Sequence, residues 1–215
     1  VKAGADVIVI GSRSAEALSE EFCDLGERVS YYRFDLTHID GISGIVDEII
    51  TDHGQVDILI NNAGNHCKKP IEQMEIEEFT SVLNLHVVAS FALTKAFMPH
   101  MKARQSGNVI FISSMTGFLG QPYVAGYSAA KSAVMVMVRT LATEVSAEGI
   151  RINAIVPGWI ETPMLHKAID GDLERKNKIL GRTPMKKFGK PEDIGWAAVY
   201  LCSEAASFVN GTQII

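Results

Sequence analysis

Val56-Asp57-Ile58-Leu59-Ile60-Asn61-Asn62-Ala63-Gly64 (VDILINNAG) is the stretch whose reading decides the fold. Its apolar run is strand-length and hands over at once to amide-bearing and small residues. The same handover occurs where Val109 to Ile112 leads into Ser113 and Ser114, and where Ile152 to Val156 leads into Pro157 and Gly158. Several apolar strands that each end in small or polar residues at one edge are what the ligand-bearing edge of an open parallel sheet requires.

Downstream, Pro122 to Glu148 reads as a helix on which Tyr127 and Lys131 stand one turn apart, on one face. A positive charge beside a phenol favours the phenolate, so this spacing predicts a tyrosine pKa lowered from about 10 toward the working range of a general acid/base. A Tyr and a Lys so spaced are, as a rule, an exposed structural pair. Ser114 favours the chemical reading, because at its strand-to-loop boundary its hydroxyl reaches toward the same oxygen.

Upstream, Val7 to Ile10 is a short buried strand after a helix tail and turn over Val1 to Asp6. It leads into Gly11, Ser12 and Arg13 and a helix with Ser14 as N-cap, Leu18, Phe22 and Leu25 as its buried stripe and Gly26 at its end. Val29 to Phe34 is the next strand, ending at Asp35 and Leu36. Thr37 caps a helix over His38 to His53 with the stripe Ile42, Ile45, Val46, Ile49 and Ile50. A long helix over Ile76 to Arg104 carries Asn84 in its interior, where asparagine is disfavoured, and Pro99 near its end. The loop Met115 to Gly126, with Phe118, Leu119, Gln121 and Tyr123, lines a substrate pocket. Met164 to Lys190 is charged and irregular, the pattern of a solvated helical lid. Pro191, Glu192 and Asp193 open the last helix, and Thr212 to Ile215 reads as a final strand. The helix bearing Tyr127 is apolar nearly all round from Ala129 to Val138, and the helix before it carries Val87, Val88, Phe91 and Leu93. A helix without a wet face must be covered on both sides, so the sequence predicts a homodimer or homotetramer built on these two helices.

The bulk properties narrow the classes. The 215 residues, 47% hydrophobic and without a Pro/Gly/Ser-rich linker, suit one domain, and a net charge of −5 argues against nucleic acid as a partner. No uninterrupted apolar stretch approaches the roughly 20 residues of a membrane span and no signal peptide opens the chain, so no membrane partner and a cytoplasmic location are expected. Cys23, Cys67 and Cys202 are scattered without metal-ligand spacing, which suits idle thiols and no metal site.

Taken together, these residues resemble the short-chain dehydrogenase/reductase family. The motifs are NNAG at Asn61 to Gly64, Asn84 within VLNLHVV, ISS at Ile112 to Ser114, YSAAK at Tyr127 to Lys131 and PGWIETP at Pro157 to Pro163, in order over essentially the whole chain. The resemblance implies an α/β fold: a single domain, 1–215, with a Rossmann-type doubly wound parallel sheet flanked by helices and a substrate lid at about 163–190. It also implies a first strand and a TGxxxGxG turn ahead of Val7. Neither is among these residues, so about 30 residues before Val1 and about 10 after Ile215 are expected beyond them, and a sheet with a hole at its centre without them.

By the same resemblance, Asn84, Ser114, Tyr127 and Lys131 form a catalytic tetrad. Asn84 distorts its helix and holds a water in the proton relay, and Lys131 also bonds the nicotinamide ribose. Ser12, Arg13, Asp35, Leu36, Asn62, Ala63, Gly64, Tyr127, Lys131, Pro157, Gly158, Ile160 and Thr162 hold the cofactor, and Ser114, Gln121 and Tyr127 the substrate. Gly11 stands where an acid would bind the 2′-hydroxyl of NAD, and Arg13 is close by, so NADP(H) is favoured, with NAD(H) the alternative. His66 is read as a rim residue. The implied reaction interconverts a secondary alcohol and a ketone by hydride transfer. The look of PGWIETPM and RTPMKKFGKPEDIG suggests dehydrogenases of sugar acids or polyols, such as gluconate 5-dehydrogenase. The alternative is a 3-oxoacyl-acyl-carrier-protein reductase, with Lys68, Lys69, Arg182, Lys186, Lys187 and Lys190 as a basic docking surface, and more remotely a non-catalytic nucleotide-binding relative.

Overall fold

The structure, a computed structural model, describes residues 1–14 and 28–215. The helix read through Leu18, Phe22, Leu25 and Gly26 lies outside the described residues, and residues 1–6 form a turn without a helical tail.

Among the described residues, every strand pairing is parallel. β1 (Val7–Gly11) pairs with β2 (Val29–Arg33), Val7 opposite Val29 and Gly11 opposite Arg33. β3 (Ile58–Asn61), β4 (Gly107–Ile112), β5 (Ile150–Ile155) and β6 (Gln213–Ile214) follow one another in that order in a second sheet. β1 and β3 share no ladder, and Ile58 and Ile60 on β3 are 38% and 45% exposed. The interruption falls where the sequence places the hole in the sheet.

Along β4 the side chains alternate between two cores, as the strand period dictates. Val109 and Phe111 join Ile152 and Ala154 of β5 beneath α1 (Ile42–His53) and the two long helices, whereas Ile110 and Ile155 pack on Leu201. Leu201 belongs to the helix over Pro191–Cys202, so helices cover both faces of the sheet. The predicted stripe of α1 is borne out by buried Ile42, Ile45, Val46 and Ile49. Its predicted cap is not. Asp35 Oδ1 accepts the Thr37 N–H and hydroxyl at 2.9 and 2.8 Å, closing a turn on itself, and a short 3₁₀ turn (Ile39–Gly41) precedes the helix.

α2 (Ile76–Leu83), a π-helical segment (Asn84–Ala89) and α3 (Ser90–Arg104) run on as one helix, as expected. By length and mean hydropathy this continuous span would suffice to cross a membrane, but Glu77, Glu78, Asn84 and Lys95 interrupt it, so the expectation that no uninterrupted apolar stretch reaches that length stands. Its residues Ala89, Leu93, Phe97 and Met101 lie in the sheet's core. α4 (Ala125–Val145) follows β4, with Gly126 so close to Phe79 that a Cβ there would stand 3.2 Å from its ring. α5 (Pro163–Ile169) and α6 (Leu173–Arg182) share a small core of Leu165, Ile169 and Ile179 with Trp159 and Phe188. α7 (Pro191–Cys202) opens with proline in its first turn, and the Asp193 carboxylate accepts the Lys190 N–H at 2.7 Å.

Candidate active site

β4 ends at Ile112, and the chain turns through Ser113 and Ser114 back onto α4. Gly117 makes this possible: a Cβ there would lie 2.4 Å from the Met135 methyl and 3.3 Å from the Lys131 backbone, so only glycine seats the turn this close. The Ser132 hydroxyl donates to the Gly117 carbonyl at 3.0 Å, and the buried Ser113 hydroxyl to the Lys131 carbonyl at 2.9 Å. Ser114, rather than Ser113, is left facing Tyr127. Its Oγ accepts from the Thr116 N–H and hydroxyl at 3.2 and 3.1 Å and lies close enough to the phenol to draw its pKa down.

Lys131 is only 5% exposed, and its ammonium donates to the Ile112 carbonyl at 2.6 Å. Nζ stands 5.5 Å from the centre of the Tyr127 ring. Burial brings the lysine pKa down to about 8. The tyrosine moves opposite to the sequence expectation: burial pushes its pKa up, and the Ser114 hydroxyl pulls it partly back. The lysine's charge is spent on a carbonyl at the end of β4, and removing the phenol from water outweighs what remains.

The π segment begins at Asn84, so the helix is distorted at the predicted residue. Two further residues surround the phenol. His66, read from sequence as a rim residue, lies with its ring centre 5.2 Å from that of Tyr127. His86, not singled out by the sequence reading, stands edge-on to Tyr127 at 5.3 Å and is 4% exposed. The available signal was a histidine inside an apolar helical run two residues beyond Asn84. Gln121 is half-buried at the loop after β4.

The residues expected to hold a dinucleotide line the same C-terminal edge. Asn62, Ala63 and Gly64 follow β3 with their surfaces open, and nothing stands within 4 Å of where a Gly158 Cβ would be. Asn61 turns inward, its amide donating to Thr94 at 3.0 Å. Trp159 and Glu161 bond Gly189 on either side of Ile160, so Ile160's own N–H and C=O point away from that bridge. The Thr162 hydroxyl caps α5 through the Leu165 N–H at 3.3 Å. Asp35 keeps one carboxylate oxygen clear of its own turn, with Leu36 packed behind it on the core. At the end of β1, Tyr31 donates to the Gly11 and Arg13 carbonyls at 2.7 and 2.6 Å, which leaves exposed Ser12 and Arg13 at the rim. Open backbone, one carboxylate and an arginine in place of an acid are a donor set that fits a dinucleotide.

A family model described as enoyl-(acyl carrier protein) reductase matches residues 1–215. The 3-oxoacyl-[acyl-carrier-protein] reductase FabG of Thermotoga maritima is 32% identical over 213 residues, 98% of this chain and 85% of its own. The 2-dehydro-3-deoxy-D-gluconate 5-dehydrogenase of Pseudoalteromonas atlantica is 35% identical over 217 residues, 100% of this chain and 85% of its own. A gluconate 5-dehydrogenase from Burkholderia cenocepacia J2315, solved in complex with NADP and tartrate, is similar with a TM-score of 0.91 and 30% identity, over 99% of this chain and 84% of its own.

Proposed function

Because this chain belongs to the short-chain dehydrogenase/reductase family and is an oxidoreductase acting on CH–OH groups, we propose that it interconverts a secondary alcohol and a ketone on a sugar acid or polyol with NADP(H). The observation that carries the reading is the Ser114–Tyr127 pair held over buried Lys131 at the strand edge. When bound, the nicotinamide supplies or accepts the hydride. Tyr127 gives its proton to the substrate oxygen in the reductive direction and takes it back in the oxidative one. The Ser114 hydroxyl bonds the same oxygen where charge grows. Lys131, anchored on Ile112, keeps a positive charge behind the phenol, and Asn84 at the π segment joins the relay to solvent. Asp35, the Asn62–Gly64 backbone, Ile160 and Thr162 hold the dinucleotide, and α5 with α6 forms the lid over Gln121.

The choice of NADP(H) follows from Gly11 standing where an acid would be and from Arg13 beside it, and a Burkholderia relative was solved with NADP. The substrate class follows the gluconate-type relatives. The acyl-carrier alternative keeps the Thermotoga relative in its favour, but Lys69 of its basic surface is engaged by Glu78 at 2.5 Å.

A screen of sugar acids, polyols and acyl thioesters with both cofactors, followed by nicotinamide absorbance, tests the reading. Turnover of a sugar acid or polyol, faster with NADP(H), is expected; turnover of thioesters alone would replace it. Tyr127→Phe should abolish turnover and leave cofactor affinity nearly intact, and activity above about a hundredth of the original would remove Tyr127 from its role.

A further inference from the structure

His86 is the one buried titratable group at this site, among the described residues, to which the proposed chemistry gives no task. It enters from the π segment, where the wider turn carries it toward the loop after β3. Its carbonyl accepts the Ser90 hydroxyl at 2.7 Å, which steadies the backbone behind it. The imidazole then meets three neighbours at once. Nε2 lies 2.8 Å from the Asn65 carbonyl oxygen and 3.2 Å from the Asn65 nitrogen, so the ring donates to one or accepts from the other according to its tautomer. Its ring stands at 84° to Tyr127, in the edge-to-face arrangement aromatic pairs prefer. A Cβ at Gly64 would fall 2.3 Å from its Cε1, so the loop follows the imidazole's contour and only glycine fits there.

We propose that His86 is a positioning residue for proton transfer, its imidazole locked between the Asn65 backbone and the Tyr127 ring so that the phenol and the loop after β3 keep one fixed separation. The inference rests on Tyr127 being the proton donor, as read above. Burial, with the Lys131 charge adding to it, brings the His86 pKa down to about 4, so the ring stays neutral at working pH and holds its place without competing with Lys131 for the phenol. Lys131 approaches the phenol from its own helix, and His66 faces it from the loop.

Two substitutions divide the role. His86→Gln keeps a group able to bond the Asn65 backbone and loses the ring; His86→Phe keeps a ring against Tyr127 and loses the bond. Each should lower kcat about tenfold or more, because a small misplacement of a reacting group is costly in rate. KM for the cofactor should stay within about twofold of wild type, and the isotope effect on kcat with deuterated substrate should grow as the chemical step slows. Thermal unfolding measured beside the kinetics separates positioning from plain structural damage. Variants that keep kcat within about twofold, or that lose kcat, cofactor KM and melting temperature together, overturn the proposal.

A second arm needs no turnover. In protein carrying ring-labelled tyrosine, with the Tyr127 signal identified through Tyr127→Phe, that signal should move in His86→Gln and move less in His86→Phe. An unmoved signal overturns the packing on which the inference stands. Wild-type protein inactive on every substrate, with the signal moving as expected, would place the failure in the functional reading and leave the positioning contact supported.

Discussion

Lys131 shows at the scale of one side chain how the fold and the site compete. An ammonium taken from water keeps its proton less readily, and here a single carbonyl, that of Ile112, is the bond that replaces the solvent. In the unfolded chain the lysine holds its proton to about pH 10.5, in the fold only to about 8. Below pH 8 both states carry the charge and the folded state bears the full cost of burying it. Between about 8 and 10 the unfolded chain binds more protons than the folded one, so this residue's effect on stability becomes more favourable as pH rises. Tyr127, with its raised pKa, acts in the opposite sense only above about pH 10, where the unfolded chain sheds its proton first. Urea unfolding of wild type and Lys131→Met across this range should therefore show the wild type gaining on the variant by up to about 3 kcal/mol. Parallel pH dependence of the two proteins would mean that the lysine is not desolvated as described.

At the scale of elements, the site depends on strand ends staying in register, and β5 is fixed by a side chain of its own. Asn153 is 1% exposed; its amide donates to the Val209 carbonyl at 2.9 Å and its Oδ1 accepts the Thr212 N–H at 3.0 Å, tying β5 to the segment that leads into β6. Asn153→Ala leaves the half-buried Thr212 N–H without its partner and the Val209 carbonyl with only the Arg151 guanidinium at 3.2 Å, which should cost about 1 kcal/mol in urea unfolding. A loss below a few tenths would show that water or relaxation replaces both bonds. Asn153 was invisible in sequence because its partners lie 56 and 59 residues away. What was legible was local. Apolar runs that stop at Asn61, Ser113 and Pro157 marked the strand ends, the 3.6-residue stripe marked α1, and an asparagine inside a helix marked the π segment. What failed was set by aim and distance. The Tyr127–Lys131 spacing gave one helix face but not the turn of Nζ toward Ile112, and His86 meets Asn65, 21 residues away, through folding alone. Thr37 missed its capping role because its hydroxyl turns back to Asp35 and the helix starts only at Ile42, beyond a 3₁₀ turn.

The whole molecule leaves apolar surface where the sequence expected a partner. On the outer flank of the long helices Val88, Phe91 and Val136 are 42%, 43% and 54% exposed, while Leu93, grouped with them in the sequence reading, is turned into the core. α7 carries a second uncovered set in Trp196, Val199 and Tyr200, followed by the fully exposed Phe208. An association through identical surfaces pairs each patch with itself across a twofold axis, so two separate patches on one chain fit a tetramer of dihedral symmetry. A charge placed at the middle of one patch would face its own copy across the axis and be buried unpaired, which association cannot tolerate. Val136→Glu should therefore divide the assembly at the α3–α4 face and leave pairs joined through α7, halving the mass in sedimentation equilibrium. The side chain already faces outward in the single chain, so its melting temperature should fall only by what lost association explains. A variant with the wild-type mass would show that Val136 lies outside any interface, and a wild type that sediments as a single chain would leave both patches for another use.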